Sequence, residues 1–369
     1  MRKLAVFILA ILMAAMCGCS SFLEKEYFTV SEYDASSEPA GTADNSSIGS
    51  YSDLVTALNA MVSAHQDMAQ LQFSNYAGNV SDDLAEACWH IKTNTALGAY
   101  LVDYVSYDIS RIVTYYRANV YINYLRTAEE MAEIKSIGIN MVGDTAVDAV
   151  SSGEDELVIQ LYTSTIDGDA MGARVETALL EESSRIPVIP QIDVDVYSGE
   201  NYQNIFDIHF DYGHTADEIS DMLTDMQSAI NSAAALVRRD DAYSVAVLAA
   251  GMIADTCSYD GSSGGTAYDA LVLRSGGSRA LAMALDAVCE AKGVEALVVT
   301  GLSSNAEHYW NLVRIDDNWY HIDVPEAISS GSAALRTDSE MSSRYRCDEL
   351  DYPECSGPSL LPSLDAGAQ

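Results

Sequence analysis

Basic residues are scarce in this chain: 19 Lys and Arg stand against 55 Asp and Glu, a formal net charge of −36 over 369 residues. A chain this acidic is repelled by nucleic acid, anionic headgroups and polyphosphate, so no nucleic-acid partner is expected. Basic peptides or divalent cations are the partners such a charge attracts. Cysteine is sparse too, with 7 residues, and no Cys/His cluster has zinc spacing. No aspartate-glycine calcium loop occurs either, so the acidity reads as a solvated surface and no cofactor is expected. Long apolar runs are missing apart from Leu4 to Met16, which leaves the rest of the chain without a membrane-spanning segment. What remains is a hydrophobic fraction of 49%, enough for two domains with real cores.

The Leu4–Met16 run follows Arg2 and Lys3 and ends in Met16-Cys17-Gly18-Cys19. That layout is a secretory signal, and a small residue before cysteine resembles a bacterial lipoprotein box with Cys19 as the lipidated residue. Residues 1–18 are then the signal peptide. Residues 19–49 are the lipidated start and a flexible tether rich in Ser, Gly, Ala, Asp and Pro. The expected location is the extracytoplasmic face of a bacterial membrane, held through Cys19. The alternative is a cleaved signal and free secretion.

From 50 to 239 helical and strand-like segments alternate without an active-site motif, which predicts an α+β region. Leu54, Leu58, Met61 and Val62 mark a helix, Ser81 to Thr93 a second and Leu97 to Ile112 a third, before a strand around Val120 and Ile122. Thr127-Ala128-Glu129-Glu130 has the form of a capping box, and Thr215-Ala216-Asp217-Glu218 repeats it 88 residues later (215 − 127), again after a strand. A duplicated α+β module is one reading of this; chance recurrence of a common cap is the other. The seven tyrosines between Tyr100 and Tyr124 suit half-buried strand positions better than a recognition face.

From 240 to 356 the residues carry more chemistry. Gly276-Gly277 make a turn, and Leu281, Leu285, Val288 and Cys289 set a helix from Arg279 to Lys292. Ser278 stands at its start, where unpaired N–H groups and the helix dipole favour an oxyanion; a plain N-cap is the simpler role. Strands at 294–300, 308–315 and 319–324 follow, the last two joined by Asp316-Asp317-Asn318. Pairing Ile315 with Asn318 puts Trp310 opposite Asp323 and His308 diagonal to Asp323 on the same face. An imidazole base with an orienting carboxylate follows from that register. His321, on the hairpin face, reads as structural. Cys257 has no base near it in sequence, and Cys88 and Cys289 lie on apolar helix faces.

Tyr259-Asp260, the segment 267–272, the turn at Ser278, His308 to Val313 and Trp319 to Val324 together resemble the bacterial transglutaminase-like superfamily. The resemblance implies a papain-like α+β fold, with the nucleophile's helix on an antiparallel sheet and a Cys-His-Asp triad. In the family pattern Gly-x-Cys-x-Gly-Tyr-Ala, this chain reads Gly276-Gly277-Ser278-Arg279-Ala280-Leu281-Ala282, and Glu307 and Tyr309 flank His308 where small residues are usual. Base and orienter match; the nucleophile does not. A thiol ionises near ~8.5 and can wait as a thiolate, whereas an alkanol cannot. Two readings follow. One is a catalytically silent domain that holds an extracytoplasmic peptide or protein segment, with Arg279 and Trp310 as binding residues. The other is an acyl-transfer or amide-hydrolysing enzyme using Ser278, His308 and Asp323, and a purely structural module is a third. Cys347 and Cys355 are close enough to bridge in an oxidising setting, and residues 357–369 read as a frayed tail.

Overall fold

Between residues 47 and 236 one series of elements is laid down twice. The first copy runs β1 (Ser47–Ile48), α1 (Tyr51–Ser63), β2 (Met68–Phe73), α2 (Val80–Asn94), α3 (Ala96–Leu101), β3 (Val102–Ile112), β4 (Tyr115–Tyr124) and α4 (Ala128–Ala132). The second, without a counterpart of α3, runs β5 (Lys135–Ser136), α5 (Val142–Ser151), β6 (Glu156–Leu161), α6 (Gly168–Glu181), β7 (Gln191–Ser198), β8 (Asn204–Asp211) and α7 (Ala216–Leu236). The two sheets have the same order, β1-β2-β4-β3 and β5-β6-β8-β7. In each, the short outer strand is parallel to its neighbour and every other pairing is antiparallel. β2 and β6 start 88 residues apart (156 − 68). That offset also relates the helix caps Asn79 and Asp167, and the complete capping boxes at Thr127 and Thr215. The repeated cap in the sequence therefore marks a duplicated module.

The structure is a computed structural model that describes residues 47–162, 165–341, 343, 345–347 and 352–360. The expected signal peptide, Cys19, the tether up to residue 46 and the end of the tail from 361 lie outside the described residues. The folded body begins slightly before the expected position, because Ile48 is buried and β1 pairs with β2. Residues 97–112, expected as one helix, are instead the end of α3 and the strand β3. The reason is local. From Val102 on, half-buried Val105, Tyr107 and Ile109 alternate with exposed Tyr104, Ser106, Asp108 and Ser110, a period of two that β-branched and aromatic residues favour.

β8 is buried on both faces. Phe206, Ile208 and Phe210 join the core formed with α5 and α6, while Ile205, with Val158 of β6, joins the core of the first copy. The equivalent outer face of the first sheet is polar: Gln70 donates to Asn119 at 3.0 Å and Asn119 to Asp108 at 3.0 Å. Such a face suits the terminal member of a stack.

The chain continues through α8 (Ala242–Thr256), β9 (Ser258–Tyr259), a π-helical turn (Asp269–Leu273), β10 (Ser275–Gly276) and α9 (Ser278–Ala291). A sheet of order β13-β12-β11-β14 follows, from β11 (Ala296–Ser303), β12 (Ala306–Ile315), β13 (Asn318–Ile322) and β14 (Tyr345–Arg346), with α10 (Val324–Ser330) after β13. The hairpin has the expected register, Ile315 opposite Asn318. Every residue of α9 from Ala280 to Cys289 is buried, because the helix is enclosed by α7 and α8, the sheet and the loop before it. Small side chains (Ala280, Ala282, Ala284, Ala287) let those neighbours approach on all sides. One continuous apolar core joins the second copy to this C-terminal region. The whole is α+β, with α9 packed on an antiparallel sheet. Residues 357–360, expected to fray, dock on the sheet, where the Tyr320 hydroxyl donates to the Pro358 carbonyl at 3.1 Å. No helix among the described residues is long and apolar enough to cross a membrane.

Candidate active site

The site is set by how α9 begins. Gly277, not Ser278, is the N-cap, and Ser278 is the first helical residue. A Cβ on Gly277 would lie 2.5 Å from Ser262 Oγ and 2.6 Å from Gly264 N, so glycine is what lets the segment 262–264 cross the helix start. That segment takes the helix's leading N–H groups. Gly277 N donates to Gly264 O at 3.1 Å, Ser278 N to Ser262 O at 3.0 Å, Arg279 N to Ser263 O at 3.2 Å and Ala280 N to Gly264 O at 3.3 Å. These are the donors an oxyanion at this helix end would use, and the chain's own carbonyls occupy them. Side chains hold the segment down: Ser263 Oγ donates to Glu307 Oε2 at 2.7 Å, and Arg279 Nε donates to Gly265 O at 2.9 Å.

Ser278 is completely buried and its Oγ accepts the Tyr309 N–H at 3.2 Å. His308, on β12 beside that peptide, places Nε2 3.0 Å from Asp323 Oδ2. Asp323 is itself fixed: Oδ1 accepts the Glu326 N–H at 3.4 Å as the cap of α10, and Oδ2 also accepts the Tyr345 hydroxyl. The three predicted residues are thus brought to one place. Among the described residues no hydrogen bond joins the Ser278 hydroxyl to the His308 ring. Sequence reasoning missed Tyr345, whose distance along the chain gave no signal, and the plug at 262–264. Glu307, already conspicuous as a bulky neighbour of His308, is the residue that latches the plug.

Trp310, expected to bind ligand, is 1% exposed, so it packs instead: its ring lies beside His308 and Tyr345. Its Nε1 donates to His321 Nδ1 at 3.0 Å. Indole only donates, so His321 carries its proton on Nε2 and gives it to Asp338 Oδ1 at 2.8 Å. Asp338 Oδ2 in turn accepts the Cys355 N–H at 2.7 Å. His321 is structural, as expected. His321, Asp338 and Cys355 are close enough to hold a metal, yet the proton on Nε2 blocks that nitrogen, and burial pushes the Cys355 thiol up to about 12. The expected Cys347–Cys355 bridge is not formed. Cys355 is buried and Cys347 half-buried, both as thiols. Arg279 keeps a half-buried guanidinium 5.8 Å from the Tyr309 ring centre. Burial raises the Cys257 thiol, which donates to Ala270 O at 2.9 Å. Cys88 and Cys289 are buried on their helices.

Residues 232–324 match the model of the transglutaminase-like superfamily, a stretch that opens inside α7 and closes at the first residue of α10. Similar solved structures include a protein from Cytophaga hutchinsonii described as a candidate cysteine protease, 16% identical, covering 39% of this chain and 65% of that one, with a TM-score of 0.25. Another is a TGase, 12% identical, covering 61% of this chain and 67% of that one, with a TM-score of 0.27. The chain therefore spans less than two thirds of the first. No curated protein matches. With His308 and Asp323 falling inside the matched stretch, residues 232–324 are a domain of the transglutaminase-like superfamily.

Proposed function

We propose that this is a membrane-anchored lipoprotein, attached through Cys19, whose transglutaminase-like domain is catalytically silent and serves to engage a peptide or protein segment outside the cytoplasm. The observation that carries the reading is the state of the helix start. A serine nucleophile needs an accessible oxygen, a base bonded to it and free oxyanion donors. Here the oxygen is buried against the Tyr309 N–H, and the N–H groups of Gly277 to Ala280 are bonded to residues 262–264. Each missing element of that kind costs about 10²- to 10³-fold in rate.

The test is a serine-directed fluorophosphonate applied to wild type and Ser278→Ala. Neither protein is expected to be labelled, and Ser278→Cys is expected to stay inert to iodoacetamide in the folded state. Labelling of wild type that disappears in Ser278→Ala would establish the second reading, an acyl-transfer enzyme, which the intact His308–Asp323 pair favours. For the anchor, a palmitate analogue fed to cells should label the wild type and not Cys19→Ala; equal labelling of both would remove it.

A further inference from the structure

We infer that Glu156, Asp207 and His209 form a binding site for a single divalent first-row transition cation, on the second sheet and away from Ser278. His209 and Asp207 are two apart on β8 and so share a face, and Glu156 of β6 lies directly opposite His209. One ligand atom from each lies within 4.8 Å of the other two. Asp207 is fully buried, and among the described residues its Oδ1 has no hydrogen-bond partner. His209 Nε2 stands 3.4 Å from that oxygen, within ion-pair range but outside hydrogen-bond geometry. A buried carboxylate oxygen without a hydrogen bond is costly, and a cation shared with an imidazole and a second carboxylate removes the cost.

The surroundings fit an ion. Asp207 Oδ2 accepts from Arg126 at 2.7 Å, and Arg126 is held by the Tyr100 carbonyl at 2.6 Å and by the Tyr100 ring at 3.8 Å, so the carboxylate is aimed by an outer partner as metal-binding carboxylates are. Asp193 and Asp195 of β7, opposite His209 and Asp207, add negative charge to the same face. Glu156 is exposed and His209 partly so, which leaves an entry path and room for water ligands. Two oxygens and one imidazole nitrogen suit zinc, manganese or iron(II) better than magnesium, which prefers oxygen alone.

The duplication supplies an internal control. At the matching places of the first sheet stand Met68, Asn119 and Tyr121, with Met68 opposite Tyr121 as Glu156 is opposite His209. The module therefore folds without this trio, and the fold alone does not require it.

Zinc chloride titrated calorimetrically into the full chain at physiological salt should give one ion per chain and raise the melting temperature. Glu156→Gln and His209→Ala change side chains reached by solvent, so both should fold, as far-UV circular dichroism would verify. Each should weaken binding by about 10- to 100-fold or more, since removing even an outer partner of a ligand costs that much, and should abolish the zinc-induced rise in melting temperature. Unchanged stoichiometric binding in both variants, or only weak multi-site binding by wild type, would overturn the site.

Discussion

Asp286 lies two turns into α9 and is among the few charged residues in the interior. Burial pushes its carboxyl up to about 7; the Ser183 hydroxyl pulls it down, and Glu290 and Glu182 add to the rise. Its folded value therefore lies above its unfolded one, so between about pH 4 and pH 7 the folded chain keeps a proton that the unfolded chain has lost. Stability from this group is present at low pH, declines through that window and is level above it, a difference of about 4 kcal/mol at most. Asp286→Asn should flatten the decline and raise the urea midpoint at pH 8 more than at pH 5. An equal change at both would show that the carboxylate is not the cause. At this scale the sequence was partly readable. The His308–Asp323 pair follows from hairpin register alone, because strand pairing fixes which side chains are diagonal neighbours. The burial of Ser278 and Trp310 does not, because it depends on residues 262–264 and 345, which no local pattern ties to them.

The loop over α9 is the element on which the silent reading turns. Gly277→Ala keeps an ordinary backbone conformation, with φ at −82°, so its effect is purely steric. The added methyl meets Ser262 O and Gly264 N at 2.6 Å, and the loop must lift. Loss of about 1–3 kcal/mol is expected, as for other overpacked sites, together with faster hydrogen exchange at the amides of residues 277–280. Unchanged exchange there would mean that the loop is not what covers them. Elements with strong local signals were legible: both capping boxes, the 318-turn hairpin and the helix at 279–292 are where the residues say. β3 was not, since a helical start at Ala96 runs directly into it, and α10 was hidden because its cap, Asp323, follows directly on the strand that ends at Ile322.

The described chain is layered, first copy on second copy on transglutaminase-like domain, with apolar cores that meet through Val158 and Ile205 and through the face of α6 and α7. Unfolding of the second copy and the C-terminal domain should be one transition, coincident by far-UV dichroism and tryptophan fluorescence. Ile205→Ala should cost about 2–5 kcal/mol and loosen the first copy as well. Separate transitions for the second copy and Trp310 would show that their cores are not shared. The duplication was foreshadowed only by two caps, because tertiary packing had replaced most matching residues while topology stayed. Its constant spacing bears on how such a chain can change length. Recombination between the copies would add or remove 88 residues and leave every turn whole, but a new copy survives only if its outward sheet face is greasy enough to be covered, as at Val158 and Ile205. The hydrophilic face carrying Gln70 and Asn119 offers no such greasy cover, so a new copy fits better behind it than in front of it.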